Sequence, residues 1–322
     1  MMELETEVRK FGEINVQEVA KLTFDARQNS DLRNEMITLE GMIAELELGK
    51  EDDVDKFVIQ SLDTTGQLKG WLSIYTGFPG IHFIGAWQPI VPEGSDQGDI
   101  ASALIERAIG YTKEAGVKRL EVLFDNLSED IRDLCGRMGK WYEEKGMRFT
   151  TEETRMVADL NSLHLEEHPL PSDIDVVTIA ETSNEEMRKP FFDTFLASKD
   201  RLFLDLEDEN QLVAFDWWFE RTRPFDKEST IILKDGDAIV GFCVVRPSLK
   251  SASIGPFGVH PDYQGRGLGK ALLSRSLRAM IRKGLRTVEL EMDIENTPAH
   301  NLYTSFGFES IHSTIYYSWK AP

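Results

Sequence analysis

Val259-His260-Pro261-Asp262-Tyr263-Gln264-Gly265-Arg266-Gly267-Leu268-Gly269-Lys270-Ala271-Leu272-Leu273 decides the reading of this chain. Ile254 to Val259 before it is an apolar, strand-like run. After it, Leu268, Leu272, Leu273, Leu277, Met280 and Ile281 recur at helical spacing. The stretch is therefore a strand, a tight glycine turn and the start of an amphipathic helix. Glycines at alternate positions leave successive backbone N–H groups uncovered at a helix N-terminus, where the helix dipole also favours an anion. A plain strand–helix connection is the simpler alternative. Two other phosphate motifs are excluded. A dinucleotide fingerprint needs G-x-G-x-x-G, and the third glycine falls on Lys270. A P-loop needs G-x-x-x-x-G-K-[ST]; Gly269-Lys270 is present, but Gln264 and Ala271 occupy the outer required positions.

The 322 residues are enough for two domains, each with its own core. Hydrophobic content of 41% and charged content of 29% suit a globular chain in water. No apolar run approaches the roughly 18 residues that suggest a membrane span. Met1 to Thr6 lacks a signal-peptide pattern, so the cytoplasm is the expected compartment. Cys135 and Cys243 are far apart, suggesting neither a disulfide framework nor a zinc site, and no metal is expected. A net charge of −20 argues against nucleic acid and anionic membrane surfaces as partners. It suits a cationic acceptor, though it equally suits simple solubility.

Along the chain, strands are expected at Leu4 to Phe11, Lys56 to Leu62, Leu68 to Tyr75, Ile81 to Val91 and Val117 to Phe124. Helices are expected at Val16 to Ala26, about Leu32 to Leu48, Ile100 to Ala115, and Asp130 to Lys145 with Ser128 as cap. Met147 to Leu160 closes the half with one or two strands. His168-Pro169-Leu170-Pro171-Ser172 breaks regular structure and marks a junction. Beyond it the pattern repeats. Ile174 to Ile179 is a strand, followed by helices at Asn184 to Ala197 and Leu212 to Glu220. A hairpin crosses Asp235-Gly236-Asp237, and strands fall at Ser253 to Val259 and Thr287 to Asp293. Between those two strands lies a helix, Gly267 to Lys283. A further helix, Pro298 to Phe306 with Thr297 as cap, leads to two final strands, Phe308 to Ser313 and Thr314 to Trp319.

Gly116-Val117-Lys118-Arg119-Leu120-Glu121-Val122 resembles Gly284-Leu285-Arg286-Thr287-Val288-Glu289-Leu290, and Trp141 to Met147 resembles Leu302 to Phe308. The chain thus reads as two copies of one mixed α/β domain, residues 1–165 and 166–322. Asp96-Gln97-Gly98-Asp99-Ile100-Ala101 stands where the second copy has Gln264 to Gly269. Two carboxylates there oppose an anion, so the first copy is expected to be degenerate for catalysis, although it keeps Tyr142.

Gln264-Gly265-Arg266-Gly267-Leu268-Gly269 fits the [RQ]-x-x-G-x-[GA] signature of the GCN5-related N-acetyltransferases (GNAT). Asn296-Thr297-Pro298-Ala299-His300-Asn301-Leu302-Tyr303-Thr304-Ser305-Phe306-Gly307-Phe308 fits that family's N-x-x-A-x-x-L-Y-x-x-x-G-F at every fixed position. The tandem layout resembles the mycothiol synthases. The resemblance implies two tandem GNAT acyl-CoA N-acyltransferase domains, each a mixed, mostly antiparallel sheet flanked by helices. It also implies acetyl-CoA as co-substrate. Gln264, Gly265, Arg266, Gly267, Leu268, Gly269 and Lys270 would hold its pyrophosphate, and Phe257, Gly258 and Val259 its pantetheine and carbonyl. Pro256 has no N–H to offer. Tyr303 would be the general acid for the departing thiolate, or else a packed helix tyrosine. Asn296 would contact CoA, or else simply cap a turn.

The base is not specified. Many relatives carry Glu on the strand before the loop; Ser253 stands here. Glu289, Glu291 and Asp293 share one face of the next strand, and Glu291 is the candidate base, with a water relay as the alternative. Asp205 to Glu209 with Phe215 to Glu220 could hold a cationic acceptor, or form core and solvated surface. The expected function is acetyl transfer to a primary amine on a small molecule or peptide, by a monomer or homodimer. A non-catalytic acyl-CoA-binding protein and a protein-interaction module are the other readings.

Overall fold

The structure is a computed structural model and describes residues 4–32, 37–50, 55–78, 80–220 and 225–322. It forms two compact units: residues 1–151 with 314–322, and residues 152–313. Residues 152–165 therefore lie in the second unit and residues 314–322 in the first.

The N-terminal sequence forms β1 (Glu5–Lys10), α1 (Val16–Gln28), α2 (Leu39–Gly49), β2 (Lys56–Leu62), β3 (Leu68–Phe78) and β4 (Ile81–Ile84). There follow α3 (Gln97–Glu114), β5 (Arg119–Leu127), α4 (Arg132–Glu144) and β6 (Arg148–Asp159). The expected helix from Leu32 begins, among the described residues, at Leu39; residues 33–36 lie outside them. β1 to β4 pair antiparallel in sequence order, and β4 pairs parallel with β5. The parallel pair needs a crossover, which α3 supplies.

The second copy forms β7 (Asp175–Thr178), α5 (Asn184–Leu196), α6 (Arg201–Leu204), α7 (Asp208–Trp218), β8 (Ile231–Asp235) and β9 (Ala238–Pro247). It continues with β10 (Ser251–Val259), α8 (Leu268–Arg282), β11 (Thr287–Asp293), α9 (Thr297–Ser305) and β12 (Glu309–Lys320). β7 to β10 pair antiparallel in order, β10 pairs parallel with β11, and β11 pairs antiparallel with β6. β9 is buried from Ile239 to Val245 because it lies inside the sheet with both faces covered. Burying each large side chain there contributes about 1.5–3 kcal/mol.

Each unit is completed by the strand that follows the other copy's last helix. Ile315, Tyr317 and Trp319 of β12 are buried in the first unit's core. Met156 and Ala158 of β6 are buried in the second unit's core.

Several local expectations are corrected. Met147 to Leu160 contains one strand, and the two expected final strands are one, because no glycine or proline interrupts Glu309 to Lys320. The strand expected to reach Val91 stops at Ile84. Trp87 has a φ of 55° and Pro89 lacks an N–H, so the chain leaves the ladder. Asn296, rather than Thr297, caps α9: its side chain accepts the Ala299 N–H at 3.3 Å. Ser128 makes no side-chain cap.

Candidate active site

In the second unit, β10 and β11 part. Their register runs through Ser251–Thr287, Ala252–Val288 and Ser253–Glu289 and then ends, although β10 continues to Val259 and β11 to Asp293. An irregularity between Ile254 and Phe257 bends β10 here, with a cis Gly255–Pro256 bond inside it. The result is a gap edged by β10 backbone. His260 donates its N–H to Val240 on β9 at 2.9 Å. Strand alternation therefore turns the N–H groups of Phe257 and Val259 away from β9, into the gap. Gln264 closes the loop against this edge, its Nε2 donating to the Val259 carbonyl at 3.1 Å.

The glycine turn lies at the end of β10. Gly265 and Gly267 have φ of 76° and 79°, in the left-handed region where side chains are strained. Gly267 is the N-cap of α8, and the first helical bond runs from Ala271 N–H to Gly267 carbonyl. The preceding N–H groups of Leu268, Gly269 and Lys270 lack i−4 acceptors within the helix. Leu268 anchors the turn in the core, and Gly269 brings the backbone close to Leu302 of α9. Lys270 is exposed and makes no ion pair among the described residues. Arg266 bonds Asp173 at 2.7 Å and lies over the Tyr263 ring.

Tyr303 projects from α9 toward the same gap. It is 5% exposed, 5.9 Å from the Phe257 ring and 5.7 Å from Phe308, centre to centre. Its hydroxyl makes no hydrogen bond among the described residues. Burial, with Cys243 nearby, raises the phenol well above its ordinary range. Tyr303 therefore stays protonated at any working pH and has a proton to give. Asn296 is committed as a cap through its side-chain oxygen.

The carboxylates of β11 lie opposite its core residues Val288, Leu290 and Met292. Glu289 bonds Arg155 at 2.7 Å. Glu291 is exposed at its surface yet partly desolvated; desolvation raises its carboxyl, opposed by Arg155 and reinforced by Glu289. Asp293 is 2% exposed and accepts N–H bonds from Glu295 and Arg201. Asp208 to Trp218 form α7, where Phe215 packs in an aromatic cluster with Phe191 and Phe219. Core packing thus accounts for Phe215 and Phe219, whereas Trp217 is exposed.

The acetyltransferase (GNAT) family model matches residues 163–308. Residues 163–308 therefore match a GNAT domain. A mycothiol acetyltransferase of Saccharomonospora viridis is 29% identical over 178 residues, 54% of this chain and 49% of that one. One from Streptomyces bingchenggensis is 28% identical over 218 residues, 66% of each. The chain thus spans about half to two thirds of these relatives' length. A [ribosomal protein bS18]-alanine N-acetyltransferase of Haemophilus influenzae is 28% identical over 112 residues, 35% of this chain and 75% of that one. Among solved structures, a GCN5-related N-acetyltransferase from Sphaerobacter thermophilus superposes with a TM-score of 0.60 at 17% identity, covering 98% of this chain and 96% of that one. A tandem GNAT protein from the clavulanic acid biosynthesis pathway gives 0.53 at 18% identity, covering 99% of each. These two likenesses bear out the tandem GNAT fold.

The first unit keeps the GNAT strand–helix–strand order but fills its gap. β4 and β5 pair only to Ile84–Val122, while β5 runs on to Leu127. Across the opening, the Trp87 indole donates to the Asp125 carbonyl at 2.8 Å and packs on Phe124. Tyr142, the counterpart of Tyr303, is fully buried and donates to the Gln88 carbonyl at 2.5 Å. No glycine between β4 and α3 has a positive φ. A cavity of about 370 Å³ lies between this loop and α4, lined by Val91, Gln97, Arg137, Lys140, Trp141 and Glu144 among others. It is remote from the second unit's gap in sequence and carries none of the GNAT motif residues.

Proposed function

We propose that the chain is an acetyl-CoA-dependent N-acetyltransferase that acts on a primary amine, with its working site in the C-terminal copy. One observation carries this reading. The gap between β10 and β11 is edged by backbone donors, headed by two left-handed glycines and faced by a buried tyrosine whose hydroxyl has no partner among the described residues. In the N-terminal copy the equivalent opening is crossed by Trp87 and Tyr142.

Acetyl-CoA supplies an activated acyl group as a thioester. The N–H groups of Leu268 to Lys270 suit its pyrophosphate, with Lys270 adding charge. The N–H groups of Phe257 and Val259 suit pairing with the pantetheine and polarising the thioester carbonyl. Tyr303 gives a proton to the departing sulfur. Gln264 holds the turn to the strand, and Arg266, already paired with Asp173, steadies it. Glu291 is the carboxylate to which the sequence points on the acceptor face. Relatives named for mycothiol and for a ribosomal-protein alanine support both a small-molecule amine and a peptide amine as acceptor classes. Among the described residues, no helix is long and apolar enough to cross a membrane. Ser253, where a carboxylate would serve as base, favours a second reading, a non-catalytic acyl-CoA-binding protein.

Calorimetry with acetyl-CoA tests the loop. Gly267→Asp should abolish binding, by strain at a φ of 79° and by repulsion of phosphate. Gly267→Asn carries no charge and tolerates that φ better, so it should retain much of the affinity. Unchanged affinity in Gly267→Asp would sink the assignment. Release of CoA thiol across a panel of amines, aminoglycosides, polyamines, thiol-sugar amines and peptide N-termini distinguishes enzyme from binding protein.

A further inference from the structure

An amine acceptor arrives as an ammonium and must lose a proton before it attacks. Of the carboxylates on the acceptor face of β11, Glu289 is held by Arg155. Asp293 lies four positions beyond the last β10–β11 pair, beside the open gap. Its Oδ2 accepts the Arg201 N–H at 3.1 Å, and the Arg201 guanidinium bonds Glu295 at 2.5 Å. Those two links fasten the start of α6 to the end of β11 beside the gap, and Asp200, the N-cap of α6, lies next to Asp293 there.

Asp200 Oδ1 accepts the Phe203 N–H at 2.9 Å. Its Oδ2 accepts no hydrogen bond, and no cationic side chain pairs with it, among the described residues. The charged group facing it is Asp293 from β11; Arg201, next in its own segment, is engaged by Glu295. Lys199 beside it is exposed. Tyr303, buried and with no partner for its hydroxyl among the described residues, approaches the gap from the opposite face of the sheet, the face that carries Leu290 and Met292.

We propose that Asp200 accepts the proton of the amine acetylated in the C-terminal site. The inference rests on the acetyltransferase reading above. Asp200 takes one proton from the ammonium. The freed nitrogen lone pair forms the C–N bond to the thioester carbonyl carbon, and the C–S bond breaks. Tyr303 protonates the departing sulfur, and the second amine proton, leaving nitrogen, restores the proton on Tyr303. Asp200 then returns its proton to water, so an ammonium and a thioester become an amide, a thiol and one released proton. Burial, reinforced by Asp293 and opposed by the Phe203 N–H, lifts the Asp200 carboxyl to about 6, within range of a working base.

The test uses the full chain with acetyl-CoA and two probes. Ethanolamine is protonated at neutral pH, and hydroxylamine is largely unprotonated. Asp200→Asn keeps a capping oxygen for Phe203 and removes only the charge. It should slow ethanolamine acetylation by about 100-fold, leave hydroxylamine acetylation within a few fold, and leave acetyl-CoA affinity unchanged. With ethanolamine, wild-type kcat/KM should fall as pH drops through about 6, and Asp200→Asn should lack that limb. Equal loss with both probes would make Asp200 merely structural and overturn the proposal. So would a retained ethanolamine rate and acid limb, or the same probe-selective loss appearing in Glu291→Gln instead. A chain that binds no acetyl-CoA defeats the acetyltransferase reading as well; normal binding with an unaffected Asp200→Asn defeats this proposal alone.

Discussion

Tyr303 and Tyr142 occupy the same position in two copies of one helix, and their hydroxyls have different fates. Tyr142 donates to a backbone carbonyl and is part of the wall. Tyr303 is nearly as buried, but its hydroxyl has no partner among the described residues, beside the parting of β10 and β11. A hydroxyl that a fold buries without a partner costs stability, and an arriving ligand can supply the partner. Tyr303→Phe should therefore reduce turnover by about 100-fold while acetyl-CoA affinity holds, as read by steady-state kinetics beside calorimetry. An unchanged rate would remove Tyr303 from the mechanism. The tyrosine motif was visible in the sequence. The commitment of Tyr142 was not, since Gln88 lies 54 residues away from it.

At the scale of elements, β10 does two jobs that conflict. One edge must stay open toward the gap while its faces pack normally. Gly258 shows how closely α5 approaches. A Cβ there would sit 2.5 Å from Thr194 Cγ2 and 3.1 Å from Phe242. Gly258→Ala should cost about 1–3 kcal/mol through overpacking, measured by denaturant titration. Thr194→Ser deletes the clashing methyl and should restore most of the loss in the double variant. The parting of β10 and β11 was foreshadowed by Pro256, which has no N–H for a ladder. Asp200 gave no such signal. Its segment, Asp200 to Leu204, is too short for a periodic pattern, and α6 was not anticipated.

Across the whole molecule, sequence copy and compact unit do not coincide. The first unit includes residues 314–322, and Ile315, Tyr317 and Trp319 are buried in its core. Gly139 is tightly placed against Tyr317, where an added Cβ would meet the phenol oxygen at 2.3 Å. Deleting residues 314–322 should therefore destabilise residues 1–151, leaving aromatic core positions empty at about 3–5 kcal/mol for a large aromatic. Hydrogen exchange would show lost protection in β2, β3 and β5. Unchanged protection there would mean that the closing strand is dispensable. A fragment ending at residue 165 should be unstable for the same reason.

The sequence alone determined the family resemblance, the duplication, most strands and helices, and the Gln264–Gly269 loop with its tyrosine helix. These features are local. Left-handed glycines, amphipathic spacing and cap residues act within a few positions of one another, so their physics can be read along the chain. Only the tertiary structure decided that Trp87 and Tyr142 cross the opening in the first copy, whereas in the second the Tyr303 hydroxyl stays unbonded among the described residues. It also decided that Arg266 is spoken for by Asp173, that Asp200 lies beside Asp293 at the end of β11, and that each unit is completed by the other copy's following strand. Those outcomes depend on contacts between residues tens to hundreds of positions apart. Such pairings leave no periodic trace, because either partner is compatible with many neighbours until the sheet brings the two together.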